Sequence, residues 1–218
     1  MLKKITTQDG SCSFYDSVIK ETYHSKNGAL TESLHVYISK GLDYWINLNQ
    51  KLELCKVFEM GFGTGLNAVL TKRFSEVNKK TISYSSIEKF PLSFDQIKTV
   101  SLKDLSPNEN KILNSLWNEI HEISPFFKIH KIHDDFFNII NKDFYDVIFY
   151  DPFAYHAQPY MWSEKALKIS TNLLKKNGVW VSYCAKGEVR RILERLGLCV
   201  ERISGPPGKR EMLRAIKN

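Results

Sequence analysis

The strand-like run Val57-Phe58-Glu59-Met60 leads directly into Gly61-Phe62-Gly63-Thr64-Gly65, with glycines at alternate positions, and a helix-like segment, Leu66 to Arg73, follows. Glycines so placed allow a tight strand-to-helix turn and let a ligand lie against bare backbone. The spacing is GxGxG, not the GxGxxG of many dinucleotide sites. Glu59, two residues ahead of the first glycine, would repel a pyrophosphate. The position suits a cationic or hydroxyl-bearing ligand better.

From Leu54 onward, apolar strands alternate with helical stretches, the pattern of an α/β sheet. The expected strands are 54–59, 82–87, 126–132, 145–150, 178–184, 198–203 and 210–216. Helices are expected near 65–76, 92–98, 109–121, 135–141, 163–176 and 187–196. Ser163 can cap the fifth of these, and Asn177-Gly178 supplies a stop. Gly205-Pro206-Pro207-Gly208 can join the last two strands as an antiparallel hairpin. Residues 51–218 read as the core domain, with 101–125 as a helical insertion. Residues 1–50 read as an extension packed on it, with a turn at Asn27-Gly28, a strand at 34–38 and a short helix at 42–48.

A chain of 218 residues makes one domain or one with a modest extension. No apolar run approaches a membrane span, and Met1 to Gly10 has no signal-peptide core. A cytoplasmic protein without a membrane partner is expected. Cys12, Cys55, Cys184 and Cys199 are scattered without a CxxC pair, so they are expected to remain thiols. The net charge of +7 is compatible with a phosphate-rich partner and equally with a Lys-rich soluble protein.

Glu88 ends the second core strand, 23 positions after Gly65. An acid at about that distance accepts hydrogen bonds from ribose hydroxyls in nucleotide-binding sheets. Asp134 and Asp135 follow the third strand. Asp134 fits a contact to an adenine amino group, and Asp135 a helix cap. His130 and His133 are three apart on a strand and point to opposite faces, so no metal site is expected. The fourth strand ends in Asp151-Pro152-Phe153, at the carboxyl edge where ligands of such sheets bind. There a carboxylate can hold an amine while an aromatic ring packs on a planar base. Lys209 and Arg210, beginning the last strand, can grip phosphates. Arg190, Arg191 and Arg195 read as a solvated basic helix face.

These motifs together resemble the MnmC methyltransferase-domain family, which also occurs as the standalone MnmD form. The resemblance runs through Tyr23-His24-Ser25, Asn27-Gly28, Glu32-Ser33, Gly61-Phe62-Gly63-Thr64-Gly65-Leu66-Asn67 and Glu88-Lys89-Phe90-Pro91-Leu92. It continues through Asp151, Phe153-Ala154, Pro159-Tyr160-Met161-Trp162 and Gly208-Lys209-Arg210-Glu211-Met212-Leu213. It implies a class I methyltransferase fold, an α/β Rossmann-like arrangement of seven mostly parallel strands with an antiparallel last one. It implies S-adenosyl-L-methionine (SAM) as cofactor. The expected cofactor-binding residues are Glu59, Gly61, Gly63, Gly65, Asn67, Glu88, Lys89, Asp134 and Asp151. The implied reaction is N-methylation of the 5-aminomethyl group of the tRNA wobble uridine, with or without 2-thiolation. Asp151 is the expected catalytic residue, and Glu32, Phe153, Trp162, Lys209 and Arg210 are expected on the tRNA side. Pro152 and Tyr155-His156-Ala157-Gln158 depart from the family pattern around the catalytic edge. The flavin oxidase of bifunctional members is expected to be absent. The competing readings are methylation of another amine, an aminopropyltransferase and a non-enzymatic RNA-binding protein.

Overall fold

The structure, a computed structural model, describes residues 1–140 and 142–218. Its centre is an eight-stranded sheet in the order β10-β11-β9-β8-β4-β5-β7-β6. The strands are β4 (Leu54–Met60), β5 (Thr81–Glu88), β6 (Ile120–Ser124), β7 (Phe127–His133), β8 (Tyr145–Tyr150), β9 (Leu174–Ser182), β10 (Leu198–Ser204) and β11 (Glu211–Lys217). Strands β9, β8, β4, β5 and β7 run parallel. β11 runs antiparallel to both β9 and β10, and β6 antiparallel to β7. The seven expected strands are all present, and the closing hairpin forms as expected. In β8, Tyr-Asp-Val-Ile-Phe-Tyr is buried throughout, as a central strand covered on both faces requires.

Helices α3 (Leu66–Asn78), α4 (Phe94–Val100), α5 (Pro107–Asn114), α6 (Glu164–Leu173) and α7 (Gly187–Arg195) complete the core. Ser163 caps α6 by accepting from the Ala166 N–H. Two apolar clusters sandwich the sheet. One contains Val57, Tyr84, Phe149 and Val181, the other Phe58, Tyr150, Trp162 and Trp180.

Several local expectations are corrected. Residues 34–38 are not a strand. They lie in one helical run made of α1 (Ala29–Ser33), a π-helical stretch (Leu34–Asp43) and α2 (Tyr44–Leu48). The β-branched Val36 and Ile38 suggested a strand, but Val36, Tyr37, Ile38, Gly41 and Leu42 are all buried against the sheet. Gly41 makes that approach possible, because a Cβ there would meet a Val181 methyl at 2.7 Å. The N-terminal residues instead form a three-stranded antiparallel sheet of β1 (Leu2–Thr6), β2 (Cys12–Asp16) and β3 (Glu21–Thr22).

The segment 101–125 is not purely helical. α5 ends at Asn114, and β6 adds an eighth, edge strand. α6 stops at Leu173, ahead of Asn177-Gly178, because Leu173 and Leu174 are both fully buried and the chain turns there onto β9. The expected helix over 135–141 is reduced to a single 3-10 turn, Phe136–Asn138; its final residue, Asn141, lies outside the described residues. Among the described residues, no helix is long and apolar enough to cross a membrane.

Candidate active site

The carboxyl ends of β4, β5, β7 and β8 open onto one cleft of about 620 Å³. Each strand end delivers an acid: Glu59 near the end of β4, Glu88 at the end of β5, Asp134 just after β7 and Asp151 just after β8. The glycine turn forms part of its rim. Gly61 has φ of +91° and Gly63 of +52°, left-handed conformations that side chains disfavour. A Cβ on Gly61 would sit 3.1 Å from the Asp151 carbonyl oxygen, so the bare backbone also lets β4 and β8 stay close. Gly65, expected to bind cofactor, instead sits behind the cleft as the residue that opens α3, packed on Leu113 and Phe62.

At the centre of the cleft, Asn67 joins two acids. Its Nδ2 donates to Glu59 Oε1 and to Asp151 Oδ2, both at 3.0 Å. Ser86 Oγ donates to Glu59 Oε2 at 2.7 Å. Glu59 is 1% exposed, and burial pushes its carboxyl up to about 7, against the lowering effect of those hydrogen bonds. Asp151 Oδ1 accepts from the Tyr37 hydroxyl at 2.5 Å. Burial also drives the Asp151 carboxyl well above the usual range, as do the nearby Glu59 and Glu32; the bonds from Tyr37 and Asn67 pull it down.

Glu88 is held by backbone. Its Oε2 accepts the Gly63 N–H at 3.2 Å and its Oε1 the Phe90 N–H at 2.9 Å. A carboxylate has about four acceptor positions, so each oxygen keeps one for a ribose hydroxyl. Asp134 lines the cleft and is steadied by Asn138 Nδ2 at 2.7 Å, while Asp135 caps the 3-10 turn as expected. Lys89 pairs with Asp135 at 2.8 Å on the outer rim. Phe153 forms one wall, edge-on to Tyr23 at 5.0 Å between ring centroids.

Two residues expected on the tRNA side, Trp162 and Lys209, are placed differently. Trp162 is 1% exposed and belongs to the core, where its Nε1 donates to the Phe153 carbonyl at 2.9 Å and so braces the wall from behind. Lys209 does reach the cleft, but its ammonium is bonded to the Glu32 carboxylate and lies 4.0 Å from the Tyr183 ring centroid, so it is not a free phosphate ligand. Arg210 is exposed and outside the cleft. Glu32 does line the cleft, committed to Lys209.

Sequence reasoning missed Tyr37, Tyr183, His24 and Lys131. Tyr37 meets Asp151 across 114 positions, and no local pattern signals such a contact. His24 lies at the cleft between Ser13 and Thr64, and burial lowers it to about 4, leaving it neutral. Lys131 is 1% exposed; its ammonium donates to the Leu113 carbonyl at 3.1 Å and faces the Phe62 and Trp117 rings. It ties the 101–125 segment to the glycine turn, and burial lowers it to about 8.

Residues 116–218 match the S-adenosyl-L-methionine-dependent methyltransferase family. A curated relative in Leptospira borgpetersenii serovar Hardjo-bovis, the tRNA 5-methylaminomethyl-2-thiouridine biosynthesis bifunctional protein MnmC, is 33% identical over 209 residues. That alignment covers 88% of this chain and 32% of the relative. The chain is thus similar to SAM-dependent methyltransferases over its C-terminal half and to the MnmC proteins over most of its length. A homologous MnmC protein of Acinetobacter baylyi is 28% identical, with 90% of this chain and 34% of that one covered. The chain thus spans about a third of the length of the curated relatives it matches. The crystal structure of MNMC2 from Aquifex aeolicus shares the fold, with a TM-score of 0.80 at 23% identity, covering 99% of this chain and 70% of that one. The structural match bears out the mostly parallel α/β fold that the resemblance implied.

The cleft fits SAM on its own geometry. Two glycines in left-handed conformation present bare backbone beside Glu88, whose carboxylate keeps acceptor positions for hydroxyls, and the buried acids Glu59 and Asp151 would be drawn toward their charged forms by a cationic ligand.

Proposed function

We propose that the chain methylates the 5-aminomethyl group of the wobble uridine of tRNA, with or without 2-thiolation, to give the 5-methylaminomethyl product. Glu88, Asp134, Gly61 and Gly63 hold the cofactor, which supplies an electrophilic methyl group when bound. One observation carries the reading. Asp151 lies at the cleft floor beside the aromatic wall of Phe153 and Tyr23, with one oxygen bonded to Tyr37 and the other to Asn67. Each oxygen retains an acceptor position for an amine N–H.

An aminomethyl group is largely protonated near neutral pH, and an ammonium has no lone pair with which to attack. Asp151 binds the ammonium, takes a proton from it and holds the neutral amine in line for attack. Phe153 and Tyr23 pack on the uracil face. The acids lining the cleft favour a cationic substrate group over a neutral one. A tRNA substrate accords with the +7 net charge and with a cytoplasmic protein.

The test is to incubate the purified chain with SAM and tRNA carrying 5-aminomethyluridine, then analyse the nucleosides by mass spectrometry. Conversion to the methylaminomethyl nucleoside is expected. Methyl transfer to free amines but not to tRNA would replace this reading with that of another amine methyltransferase.

A further inference from the structure

Tyr37 sits on the π-helical stretch, outside every motif of the sequence. It is 2% exposed, and its ring packs 5.2 Å from that of Phe149. Its hydroxyl bonds to Asp151 Oδ1, while Asn67 takes Oδ2. This clamp fixes the plane of the carboxylate and leaves one acceptor position on each oxygen for the cleft.

The titratable and charged groups around Asp151 come from several elements: Glu32 from α1, Glu59 from β4, Tyr84 from β5, Tyr183 after β9, and Lys209, which is engaged by Glu32. The two acids oppose ionisation of Asp151. Tyr37 and Asn67 are the donors that favour it. Burial, with the neighbouring carboxylates, also keeps the Tyr37 phenol from ionising, so it remains a donor throughout the working range of pH.

We propose that Tyr37 is a positioning residue for amine methylation, holding Asp151 as an oriented carboxylate that receives a proton from the substrate ammonium. The inference rests on the amine-methylating reading of the cleft. In the step itself the N–H bond breaks, its electron pair stays on nitrogen, and Asp151 gains the proton. Tyr37 keeps its own proton and stabilises Asp151 only while the carboxylate is charged.

Tyr37→Phe removes the hydroxyl and little else. Two readouts apply: the carboxyl signal of Asp151 in a carbon-13 NMR titration of aspartate-labelled protein, assigned by its loss in Asp151→Asn, and the single-turnover rate against pH at saturating tRNA and SAM. Both the Asp151 titration and the acid limb of the rate profile are expected to move up by about one pH unit, the scale of one hydrogen bond to a charged group. Fluorotyrosine at position 37, a stronger donor of nearly the same shape, is expected to move both down, and it serves equally if Tyr37→Phe does not fold. An unmoved Asp151 titration, or a rate lowered evenly at every pH, overturns the proposal. If the wild-type chain leaves tRNA unmethylated, the reading of the substrate fails, while the NMR titration still decides the role of Tyr37.

Discussion

Asn67→Asp keeps the shape of the side chain and replaces the donor between two acids with a third acid. Asn67 Nδ2 lies 3.0 Å from both Glu59 and Asp151. Burial already raises Glu59 and Asp151, and an ionised third carboxylate there would be buried as well and would repel whatever charge they carry, by roughly 5 kcal/mol per charged pair at about 3 Å and an effective dielectric of about 20. Holding the new carboxyl protonated at pH 7 costs only about 4 kcal/mol, from an ordinary carboxyl value near 3.9. Protonation therefore wins. The protonated replacement donates to one neighbour only, and the lost second bond adds about 1.5–3 kcal/mol. The destabilisation comes to roughly 6–7 kcal/mol at pH 7 and roughly 3–4.5 kcal/mol at pH 5. The sign follows from linkage: a carboxyl whose value is raised by folding gives full stability below its unfolded value and loses it as pH rises through the folded one. The assay is urea unfolding of both proteins between about pH 5 and pH 7, with the wild-type slope, to which Glu59 itself contributes, subtracted. A loss of about 1.4 kcal/mol per pH unit is expected. A difference that stays flat with pH would show that Asn67 does not separate two acids.

Glu88→Ala should weaken SAM binding by about 1–3 kcal/mol in calorimetry through loss of ribose hydrogen bonds; unchanged affinity in a folded variant would remove Glu88 from the cofactor site. Gly61→Ala should weaken SAM binding and cost about 1–2 kcal/mol of stability, because φ is +91° and the Asp151 carbonyl stands 3.1 Å from the added Cβ; a neutral result in both assays would refute the close approach. Asp9→Ala should destabilise the N-terminal sheet by about 1–3 kcal/mol, since Asp9 accepts from Thr7, Ser11 and Thr31 and so ties β1 and β2 to α1. Although burial raises its carboxyl, the hydrogen bonds from Ser11, Thr31 and Thr7 outweigh it and hold Asp9 below the usual range. Its contribution is therefore present above the unfolded value and lost as pH falls through the folded one, which hydrogen exchange at Thr31 and Ser11 across acid pH would follow.

What could be read from the sequence depended on how local the cause was. β8 is apolar without a break from Val147 to Tyr150 because both its faces are covered, and the glycine turn carries its own constraint in three residues. Both were legible for that reason. β6 was not: Ile120-His121-Glu122-Ile123-Ser124 is a half-polar edge strand whose pairing with β7 is the main evidence for it. Leu34 to Ile38 has strand-like composition but is helical, because the sheet behind it has room for a helix at Gly41 and buries Val36, Tyr37 and Ile38 together. Glu59, Glu88 and Asp151 were found because strand ends of an α/β sheet are legible positions. Tyr37 was not, because its only functional contact is made by tertiary packing. Lys209 shows the opposite failure. Its type and place suggested a phosphate ligand, and its partner Glu32, 177 residues away, could not be read locally.

The distribution of charge gives the site its logic. The chain as a whole carries +7, yet the strand ends converge on a cleft lined by Glu32, Glu59, Glu88, Asp134 and Asp151. Concentrating acids in a basic protein is costly unless something offsets their repulsion, and two kinds of offset are visible. Glu32 is matched by Lys209, and Asp151, Glu59 and Glu88 are matched by neutral donors from Tyr37, Asn67, Ser86 and backbone N–H groups. Neutral donors stabilise a carboxylate without cancelling its charge. Burial still raises Glu59 and Asp151 toward their neutral forms, and a cation bound beside them would favour the charged ones. Of the three lysines that line the cleft, Lys209 and Lys89 are paired with acids, and Lys26 is exposed. In the proposed reading, the acidic cleft suits the cationic reactants and the net charge of +7 suits a polyanion that carries one of them.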